Sequence, residues 1–274
     1  MIRIHKNKVY AGHSYWKTEK NFVVSFPKSG RAWLENIILQ YTEKDPDPLE
    51  HSIPEITQFK RSKNHYPKFN LVLTHDVADT PLEDDLIYTD LRSYFEFSKD
   101  YYKKKNVVFL SRNPRDIVVS YYWQKLQREK YLTGVKAITL DPDIRNFVKN
   151  KTYGMPKIIE FMNIWGEHIQ KVNNCIVVAY EDMHKDIATS MVRIFNHFDK
   201  KIDYPKLAFA IKNSELKTMK ARERAIFGRF IPENAMRCRR GEVDGYKKEL
   251  DQETIDLIQI CIQQNLDPFW SRYL

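Results

Sequence analysis

Cysteine, glycine and long apolar runs are all scarce in this chain. Its 274 residues include 3 cysteines and 8 glycines. Cys175, Cys238 and Cys261 form neither a CxxC pair nor a Cys/His cluster at metal-ligand spacing, so we expect no disulfide framework and no metal site. The longest apolar stretches, such as 176–179, have the length of a strand, and the first residues contain no apolar signal-peptide core. Because free thiols are typical of a reducing compartment, we expect a soluble, cytoplasmic protein without a membrane span.

The composition is that of a folded domain with a basic surface. Hydrophobic residues make up 42% of the chain and aromatic residues 13%, which argues against disorder. The length suits one domain, and no composition shift marks a linker, so we expect a single domain over residues 1–274. The net charge of +9 suits an anionic ligand, but it also suits nucleic acid or a membrane surface. Charge alone therefore does not decide the function.

Strand-like and helix-like runs alternate along the chain. The strands are continuous apolar runs, as expected for strands that are covered on both faces. This alternation predicts the α/β class, with three layers and a central, mostly parallel sheet flanked by helices. We expect strands at 22–26, 70–74, 106–111 and 175–180. We expect helices at 31–41, 114–127, 155–171, 187–198, 214–223 and 252–264, and loops at 43–69, 79–95, 129–141 and 224–238.

The segment 27–33, with the sequence PKSGRAW, joins the first strand to the first helix. A helix N-terminus presents backbone N–H groups and a positive dipole end, so it favours an anion. Lys28 adds a charge, Gly30 permits close approach of a ligand, and Trp33 offers a flat face for a purine. The alternative is an ordinary turn with a solvated lysine. The segment is not a Walker loop, because it has one glycine and Lys28 precedes that glycine.

The segment 107–122 is a second strand–turn–helix junction. Arg112 lies at the strand exit, and Ser120 lies two helical turns later with its side chain leaning back toward the helix N-terminus. The two side chains can therefore share an anion. We interpret Asp116 as a response to the helix dipole and Arg115 as a surface charge. The alternative is a capped helix with incidental arginines.

The segment 237–247 contains three arginines and two glycines and resembles a clamp for a phosphate monoester. Taken alone, a solvated basic loop would explain it better. Binding of nucleic acid would require a longer basic stripe or interleaved aromatic residues.

His75 ends the strand at 70–74, on the sheet edge where Lys28 and Arg112 are expected. An imidazole titrates near neutral pH and so suits a general base. Alone, His75 fits a capping or surface role better. Its position beside the two cationic segments favours the catalytic interpretation.

Together these segments resemble the cytosolic, soluble class of sulfotransferases. These enzymes transfer a sulfuryl group from 3′-phosphoadenosine 5′-phosphosulfate (PAPS) to a hydroxyl or amine and release adenosine 3′,5′-bisphosphate (PAP). PKSGRAW stands beside the family's PKSGTTW, RNPRDIVVSYY at 112–122 beside RNxxDxxVSYY, and RRGEVDGYK at 239–247 beside RKGxxGDWK. Weaker matches lie at 178–183 and 214–220, so the resemblance spans about 21–250. The chain's small size and its RRGEVDGYK segment indicate a closer likeness to bacterial-type members.

The resemblance implies a P-loop-like nucleotide-binding core and a role for each matched residue. The 5′-phosphosulfate would be held by Lys28, Ser29, Gly30, Arg31, Ala32 and Trp33, with Trp33 also stacking on adenine. The 3′-phosphate would be held by Arg112, Ser120, Arg239, Arg240 and Gly241. Adenine would contact Tyr180, Ser214 and Leu216. His75 falls on the family's catalytic base, and no metal is implied.

Three positions depart from the family pattern. Leu73 stands where animal members carry a lysine near the transferring group. Ala32 replaces a threonine that contacts the 5′-phosphate, and Arg31 is the candidate substitute for that hydroxyl. Leu216 replaces an aromatic residue, which predicts a looser purine site.

The expected reaction is sulfuryl transfer to a small-molecule or saccharide acceptor, with His75 as general base and Lys28 stabilising the leaving phosphate. Two alternatives stay open at this point: a P-loop-type kinase of nucleotides or small molecules, and an inactive relative that binds nucleotide or nucleic acid. Aromatic residues could form the floor of an acceptor pocket or could be ordinary packing: Tyr66, Tyr88, Tyr94, Tyr121, Tyr122 and Trp123. We expect no nucleic-acid partner, and the sequence leaves the oligomeric state open, including a homodimer.

Overall fold

The computed structural model describes residues 18–42, 65–66, 69–76, 78, 99–128, 141–228 and 231–274. Most of the expected loop at 43–69, all of the loop at 79–95 and nearly all of the loop at 129–141 lie outside these residues. Tyr88 and Tyr94 lie outside them too. The expectation of a single domain over residues 1–274 stays a prediction.

A five-stranded sheet forms the centre of the molecule, in the order β2-β3-β1-β4-β5. Its strands are β1 (Asn21–Ser25), β2 (His65–Tyr66), β3 (Leu71–Thr74), β4 (Asn106–Ser111) and β5 (Asn174–Ala179). The strands β3, β1, β4 and β5 pair in parallel, with Phe22 opposite both Val72 and Val107. The short edge strand β2 runs antiparallel to its neighbour β3. The mostly parallel sheet is confirmed.

Nine α-helices occur within the described residues. They are α1 (Arg31–Thr42), α2 (Pro114–Trp123), α3 (Ile144–Lys149), α4 (Met155–Ile169), α5 (Tyr180–Lys185), α6 (Ile187–His197), α7 (Tyr204–Lys212), α8 (Leu216–Phe227) and α9 (Gln252–Asn265). A π-helical turn, Gln124–Arg128, continues α2, and a 3₁₀ segment, Pro268–Tyr273, follows α9.

Each face of the sheet has its own hydrophobic core, because side chains alternate along a strand. Phe22 and Val24 of β1 belong to the core that includes residues of α2, α4 and α9. Val23, between them, belongs to the core that includes residues of α1, α6 and α7. The sheet is therefore covered on both faces, and the three-layer α/β class is confirmed.

Two expected helix starts are confirmed by their caps. Asn113 accepts a hydrogen bond from the backbone N of Arg115, with Pro114 in the first helical position of α2. Asp251 accepts one from the backbone N of Thr254 at the start of α9. Asn113 thus fixes where the chain turns after Arg112.

The expected boundaries were wrong in three places. The loop expected at 224–238 begins too early, because α8 continues to Phe227. The helix expected at 114–127 changes to the π-helical turn after Trp123. The loop expected at 43–69 contains β2 at its end.

Helix α7 was missed although the sequence contains its start signal. Asp203 caps it by accepting a hydrogen bond from the backbone N of Lys206, and a proline follows in the first turn. Helices α3 and α5 were also missed. Both have six residues, which is too short for a clear apolar period.

Candidate active site

Four predicted site residues follow the ends of four parallel strands. Lys28 lies just after β1, His75 directly after β3, Arg112 directly after β4 and Tyr180 directly after β5. The carboxyl ends of parallel strands meet at one edge of a sheet, where α/β proteins bind their ligands. The sheet therefore brings the four residues to the same edge.

The turn between β1 and α1 is built around Gly30. Lys28 has a φ of 72° and Gly30 a φ of 97°, both in the left-handed region. A Cβ at Gly30 would lie 2.5 Å from Cδ2 of Tyr180. The Gly30 carbonyl then accepts the backbone N–H groups of Trp33 at 3.0 Å and Leu34 at 3.2 Å, which starts α1. Only glycine permits both this backbone shape and the contact with Tyr180.

The Lys28 side chain is half-buried, and its ammonium reaches the second arginine segment. Nζ donates to the backbone O of Arg237 at 3.1 Å. Burial lowers the pKa of Lys28 to about 7, and the charges of Arg128, Arg237 and Arg112 also act to lower it. Lys28 thus changes charge near neutral pH, whereas a solvated lysine stays positively charged at that pH.

Arg112 joins the two predicted cationic segments. Its Nη1 donates to the backbone O of Lys28 at 2.8 Å, and its Nη2 donates to the backbone O of Glu242 at 2.9 Å. Its guanidinium carbon lies 4.2 Å from the ring centroid of Tyr180. The side chain is buried, with 9% of the residue exposed. Lys28 and Arg112 therefore belong to one continuous site.

Asp116 anchors the second arginine segment to α2. Its carboxylate accepts the backbone N–H groups of Asp244 at 2.9 Å and Tyr246 at 3.1 Å. Burial raises the pKa of Asp116, while the charge of Arg112 and the two backbone bonds act to lower it. The interpretation of Asp116 as a response to the helix dipole was therefore incomplete. The residue positions the loop that faces Arg112.

Arg239 lies buried beside α2, and Arg240 lies at the surface. The Arg239 Nη2 donates to Oε1 of Glu249 at 2.5 Å, and the Trp123 Nε1 donates to the other oxygen of Glu249 at 2.7 Å. Nε of Arg240 lies 3.7 Å from Glu249 Oε1. The half-buried Ser120 lies on α2. The structure thus brings Arg239 to the helix that carries Ser120.

Arg115 was wrongly interpreted as a surface charge. The residue is 7% exposed. Its Nη1 donates to the backbone O of Tyr273 at 2.9 Å, and its Nη2 donates to Gln259. Arg115 therefore ties α2 to the C-terminal part of the chain.

His75 is oriented by the neighbouring strand. Its Nδ1 lies 2.9 Å from the backbone O of Ser25. A carbonyl only accepts, so Nδ1 carries the proton, and the lone pair of the neutral imidazole is on Nε2. This tautomer suits a base that works through Nε2.

The residue after His75 is held in a buried polar network. Asp76 has a φ of 47°, and it forms an ion pair with Lys99. The hydroxyl of Tyr102 donates to it at 3.1 Å and Nε1 of Trp165 at 3.0 Å. These three donors stabilise a backbone shape that non-glycine residues rarely adopt, and so they also fix the chain at His75.

The residues expected to contact adenine fall into two groups. Tyr180 and Trp33 lie close to each other, with ring centroids 6.1 Å apart. Leu216 packs against Gly241, since a Cβ added at Gly241 would lie 3.0 Å from Cδ2 of Leu216. Ser214 differs, because it is 0% exposed and its hydroxyl lies 2.7 Å from the backbone O of Ala210 and 3.0 Å from Asn36 Oδ1. The side chain of Ser214 thus packs inside the protein and presents no surface to a ligand.

Two of the aromatic residues considered for an acceptor pocket are packing residues. Tyr121 is 0% exposed and contacts Phe26, while Tyr122 donates from its hydroxyl to the backbone O of Pro142 at 2.5 Å. Tyr66 donates from its hydroxyl to Oε1 of Glu35 at 2.7 Å. Of the two alternatives that the sequence left open, ordinary packing therefore applies to Tyr121 and Tyr122.

A small cleft lies beside α1 and is lined in part by Ala32. Its lining includes Glu35, Asn36, Met219, Glu223, Arg237 and Cys238. Glu35 pairs with Arg237 Nη2 at 2.8 Å. Burial acts to raise the pKa of Glu35, but the charges of Arg237 and Arg31 outweigh it and hold the pKa below its usual range. Arg31 therefore acts electrostatically on Glu35.

Three of these lining residues lie outside the predicted motifs and were missed: Glu35, Asn36 and Glu223. No local pattern marks them. Glu35 and Arg237, for example, are 202 positions apart in the chain.

Comparison with known proteins identifies the family. The sulfotransferase domain model matches residues 18–269. Sulfotransferase 2A6 of Rattus norvegicus is 30% identical over 215 residues, which cover 74% of this chain and 68% of the relative. Sulfotransferase 2A1 of Rattus norvegicus is 26% identical over 271 residues, which cover 92% of this chain and 86% of the relative.

Solved structures show the same fold. Retinol dehydratase in a complex with retinol and PAP matches with a TM-score of 0.60 at 15% identity, covering 89% of this chain and 80% of that chain. A mouse sulfotransferase complexed with PAP matches with a TM-score of 0.57 at 16% identity, covering 90% of this chain and 84% of that chain.

The sheet is mostly parallel and carries cationic loops at its carboxyl edge, and the domain model matches most of the chain. These features define an enzyme that transfers a sulfuryl group from PAPS. The chain belongs to the sulfotransferase family. This decides against the kinase alternative. Sulfotransferases 2A6 and 2A1 come from a mammal, so the likeness to bacterial-type members stays a prediction.

The described residues fit PAPS and its product PAP. Two buried guanidinium nitrogens in the predicted 3′-phosphate site, Nε of Arg112 and Nη1 of Arg239, have no hydrogen-bond partner within the described residues. A buried donor without a partner is costly, and a phosphate would supply acceptors. No group of three or more His, Cys, Asp or Glu side chains among the described residues could hold a metal ion. No helix in the described part is long and apolar enough to cross a membrane.

Proposed function

We propose that Arg112 and Arg239 bind the 3′-phosphate of PAPS, with Ser120, Arg240 and Gly241 around them. The observation that carries this proposal is the pair of buried, unpartnered guanidinium nitrogens on Arg112 and Arg239. The 5′-phosphosulfate then lies at the turn 27–33, whose Lys28 carbonyl is bonded to Arg112. One nucleotide spans both sites.

We place the adenine at the aromatic cluster next to this turn. Trp33, Tyr180 and His184 approach one another edge to face, with centroids 5.2 to 6.1 Å apart. His184 Nε2 lies 2.5 Å from the backbone O of Gly241, which ties this cluster to the second arginine segment. Leu216 contributes the opposite, apolar side. Ser214 supports the site from beneath, without a contact of its own.

His75 acts as general base and Lys28 as the cation for the leaving phosphate. PAPS supplies an activated sulfuryl group: the acceptor oxygen bonds to sulfur while the bond from sulfur to the bridging oxygen breaks. Nε2 of His75 takes the acceptor proton. The Lys28 ammonium and the amides of residues 29–33 stabilise the charge that develops on the phosphate.

The acceptor is a hydroxyl or amine of a small molecule or a saccharide. This proposal is supported by two relatives whose names give a hydroxysteroid and an amine as their acceptors: 3-alpha-hydroxysteroid sulfotransferase of Cavia porcellus and amine sulfotransferase of Oryctolagus cuniculus. We further propose a cytoplasmic location and one domain over residues 1–274.

Single-turnover sulfation with radiolabelled PAPS and a panel of acceptors tests the base. His75→Ala should slow transfer by ~10²–10⁴-fold while PAP still binds. His168→Ala is the control, because this histidine lies in α4 with Nδ1 bonded to the backbone O of Ile164, four residues away. An unchanged rate in His75→Ala would remove His75 from the mechanism.

A further inference from the structure

We propose that Glu181 and Tyr273 form a bracket that holds Arg112 in the orientation needed for the 3′-phosphate. They are positioning residues, and they set the preference for a nucleotide that carries this phosphate. The inference rests on the proposed role of Arg112.

The bracket holds both chain neighbours of Arg112. The Glu181 carboxylate accepts the backbone N–H of Asn113 at 2.8 Å through Oε1, and it accepts the hydroxyl of Tyr273 at 3.1 Å through Oε2. The same tyrosine oxygen lies 3.0 Å from Oγ of Ser111. Ser111 precedes Arg112 and Asn113 follows it, so the strand exit is held on both sides of the arginine.

The hydrogen bonds in the bracket run in one direction. A carboxylate only accepts, so Tyr273 donates to Glu181 and its oxygen accepts the hydroxyl proton of Ser111. Burial raises the pKa of Tyr273 far above its usual value, with the charge of Glu181 adding to the rise, so the phenol keeps the proton it donates. Ser111 and Tyr273 are buried, at 2% and 4% exposure, which protects these bonds from competing water.

The bracket also reaches Arg112 through Tyr180. Tyr180 precedes Glu181 in the first turn of α5, and its ring lies against both the Arg112 guanidinium and Gly30. The backbone of Tyr273 is held in turn, because Arg115 Nη1 donates to its carbonyl at 2.9 Å. A shift of Glu181 would therefore move the strand exit and the aromatic ring together.

Orientation matters here because both terminal nitrogens of Arg112 are bonded to backbone carbonyls. Nη1 and Nη2 each donate one N–H to the carbonyls of Lys28 and Glu242, which fixes the plane of the guanidinium, and Nε is the nitrogen without a partner among the described residues. A phosphate contact at Nε tolerates little displacement of this plane, since a hydrogen bond weakens steeply with distance and angle. Loosening the bracket should therefore weaken binding of the 3′-phosphate, which meets Arg112 directly, far more than binding of the 5′-phosphate.

The test measures selectivity by calorimetry, as the ratio of the dissociation constants of adenosine 5′-phosphate and PAP. Tyr273→Phe keeps the ring and removes the hydroxyl, and Glu181→Gln keeps the shape and removes the charge. Each variant should weaken the binding of PAP by about tenfold, which is the equivalent of one buried hydrogen bond. The affinity for adenosine 5′-phosphate should change by less than about twofold. The control is Tyr41→Phe, which removes a buried hydroxyl that accepts a hydrogen bond from the backbone N of Asp203. Tyr41 belongs to the core that includes residues of α1, α6 and α7, away from Arg112.

Equal losses for both nucleotides, or no loss in either bracket variant, would overturn the bracket. Arg112→Ala separates this failure from a failure of the proposed function. If Arg112→Ala lowers the selectivity and the bracket variants do not, only the bracket is wrong. If wild type shows no preference for PAP over adenosine 5′-phosphate, the assignment of Arg112 is wrong as well.

Discussion

Arg112 and Lys28 lie in one site but are held in different ways. The Arg112 guanidinium donates to two backbone carbonyls and lies on the ring of Tyr180, and its chain neighbours bond to Glu181 and Tyr273. The Lys28 ammonium meets the carbonyl of Arg237, and its pKa is about 7. Arg112 is a preformed recognition group, whereas Lys28 can change both its partner and its charge. The difference suits binding at the first position and catalysis at the second.

The largest effect should come from Lys28→Met, which keeps the length of the side chain and removes its charge. We expect sulfuryl transfer in a single turnover to fall by ~10²–10³-fold, as for the loss of one donor at a developing anion. PAP should lose the contribution of its 5′-phosphate but still bind through its 3′-phosphate, because Arg112 remains in place. A loss confined to PAP affinity, with an unchanged transfer rate, would remove the distinction between the two residues.

The pH dependence of PAP affinity should show a smaller effect that belongs to Lys28. Burial lowers its pKa to about 7, so above pH 7 the free protein has lost this proton and must regain it to hold an anion. Affinity should therefore fall as pH rises, by about tenfold per pH unit between about pH 7.5 and 9, where the phosphate is already fully ionised.

Calorimetry across this range tests the assignment. Lys28→Met should flatten the slope, whereas Arg112→Ala should keep the slope and lower affinity at every pH. A slope that persists in Lys28→Met would assign the proton to another group.

The smallest effect should come from Leu216→Ala, at the residue that we place beside the adenine. Its side chain packs against Gly241, and we propose that it offers an apolar face to adenine. Removing this face should weaken PAP, adenosine 5′-phosphate and adenosine 3′-phosphate by about threefold each, in proportion to the apolar area lost. Unequal losses of affinity among the three nucleotides would show that Leu216 acts on one phosphate. Arg112 and Lys28 would then not be the only residues that distinguish the two phosphates.

The sheet and the strand exits could be predicted because their signals are local. A continuous apolar run, a turn and a helical period occupy adjacent positions, and parallel strands carry their loops to one edge. Lys28, His75 and Arg112 were placed at this edge from sequence for that reason. The short helices α3 and α5 lacked such a signal.

The supports of the site could not be predicted, because their partners are distant in the chain. Asp116 bonds to backbone groups 128 and 130 positions away, and Ser111 meets Tyr273 at a separation of 162. A carboxylate in the first turn of a helix fits the dipole equally well, and that simpler interpretation was chosen. Burial likewise corrected Ser214 and Arg115, whose exposure no motif reveals.

Arg112 and Lys28 are assigned to opposite phosphates of one nucleotide. The sharpest experiment is to measure the affinity of PAP, adenosine 5′-phosphate and adenosine 3′-phosphate for wild type, Arg112→Ala and Lys28→Met at about pH 7, near the pKa of Lys28. We expect a crossed result: Arg112→Ala binds PAP little better than adenosine 5′-phosphate, and Lys28→Met binds PAP little better than adenosine 3′-phosphate. Loss of the same phosphate in both variants would refute the assignment.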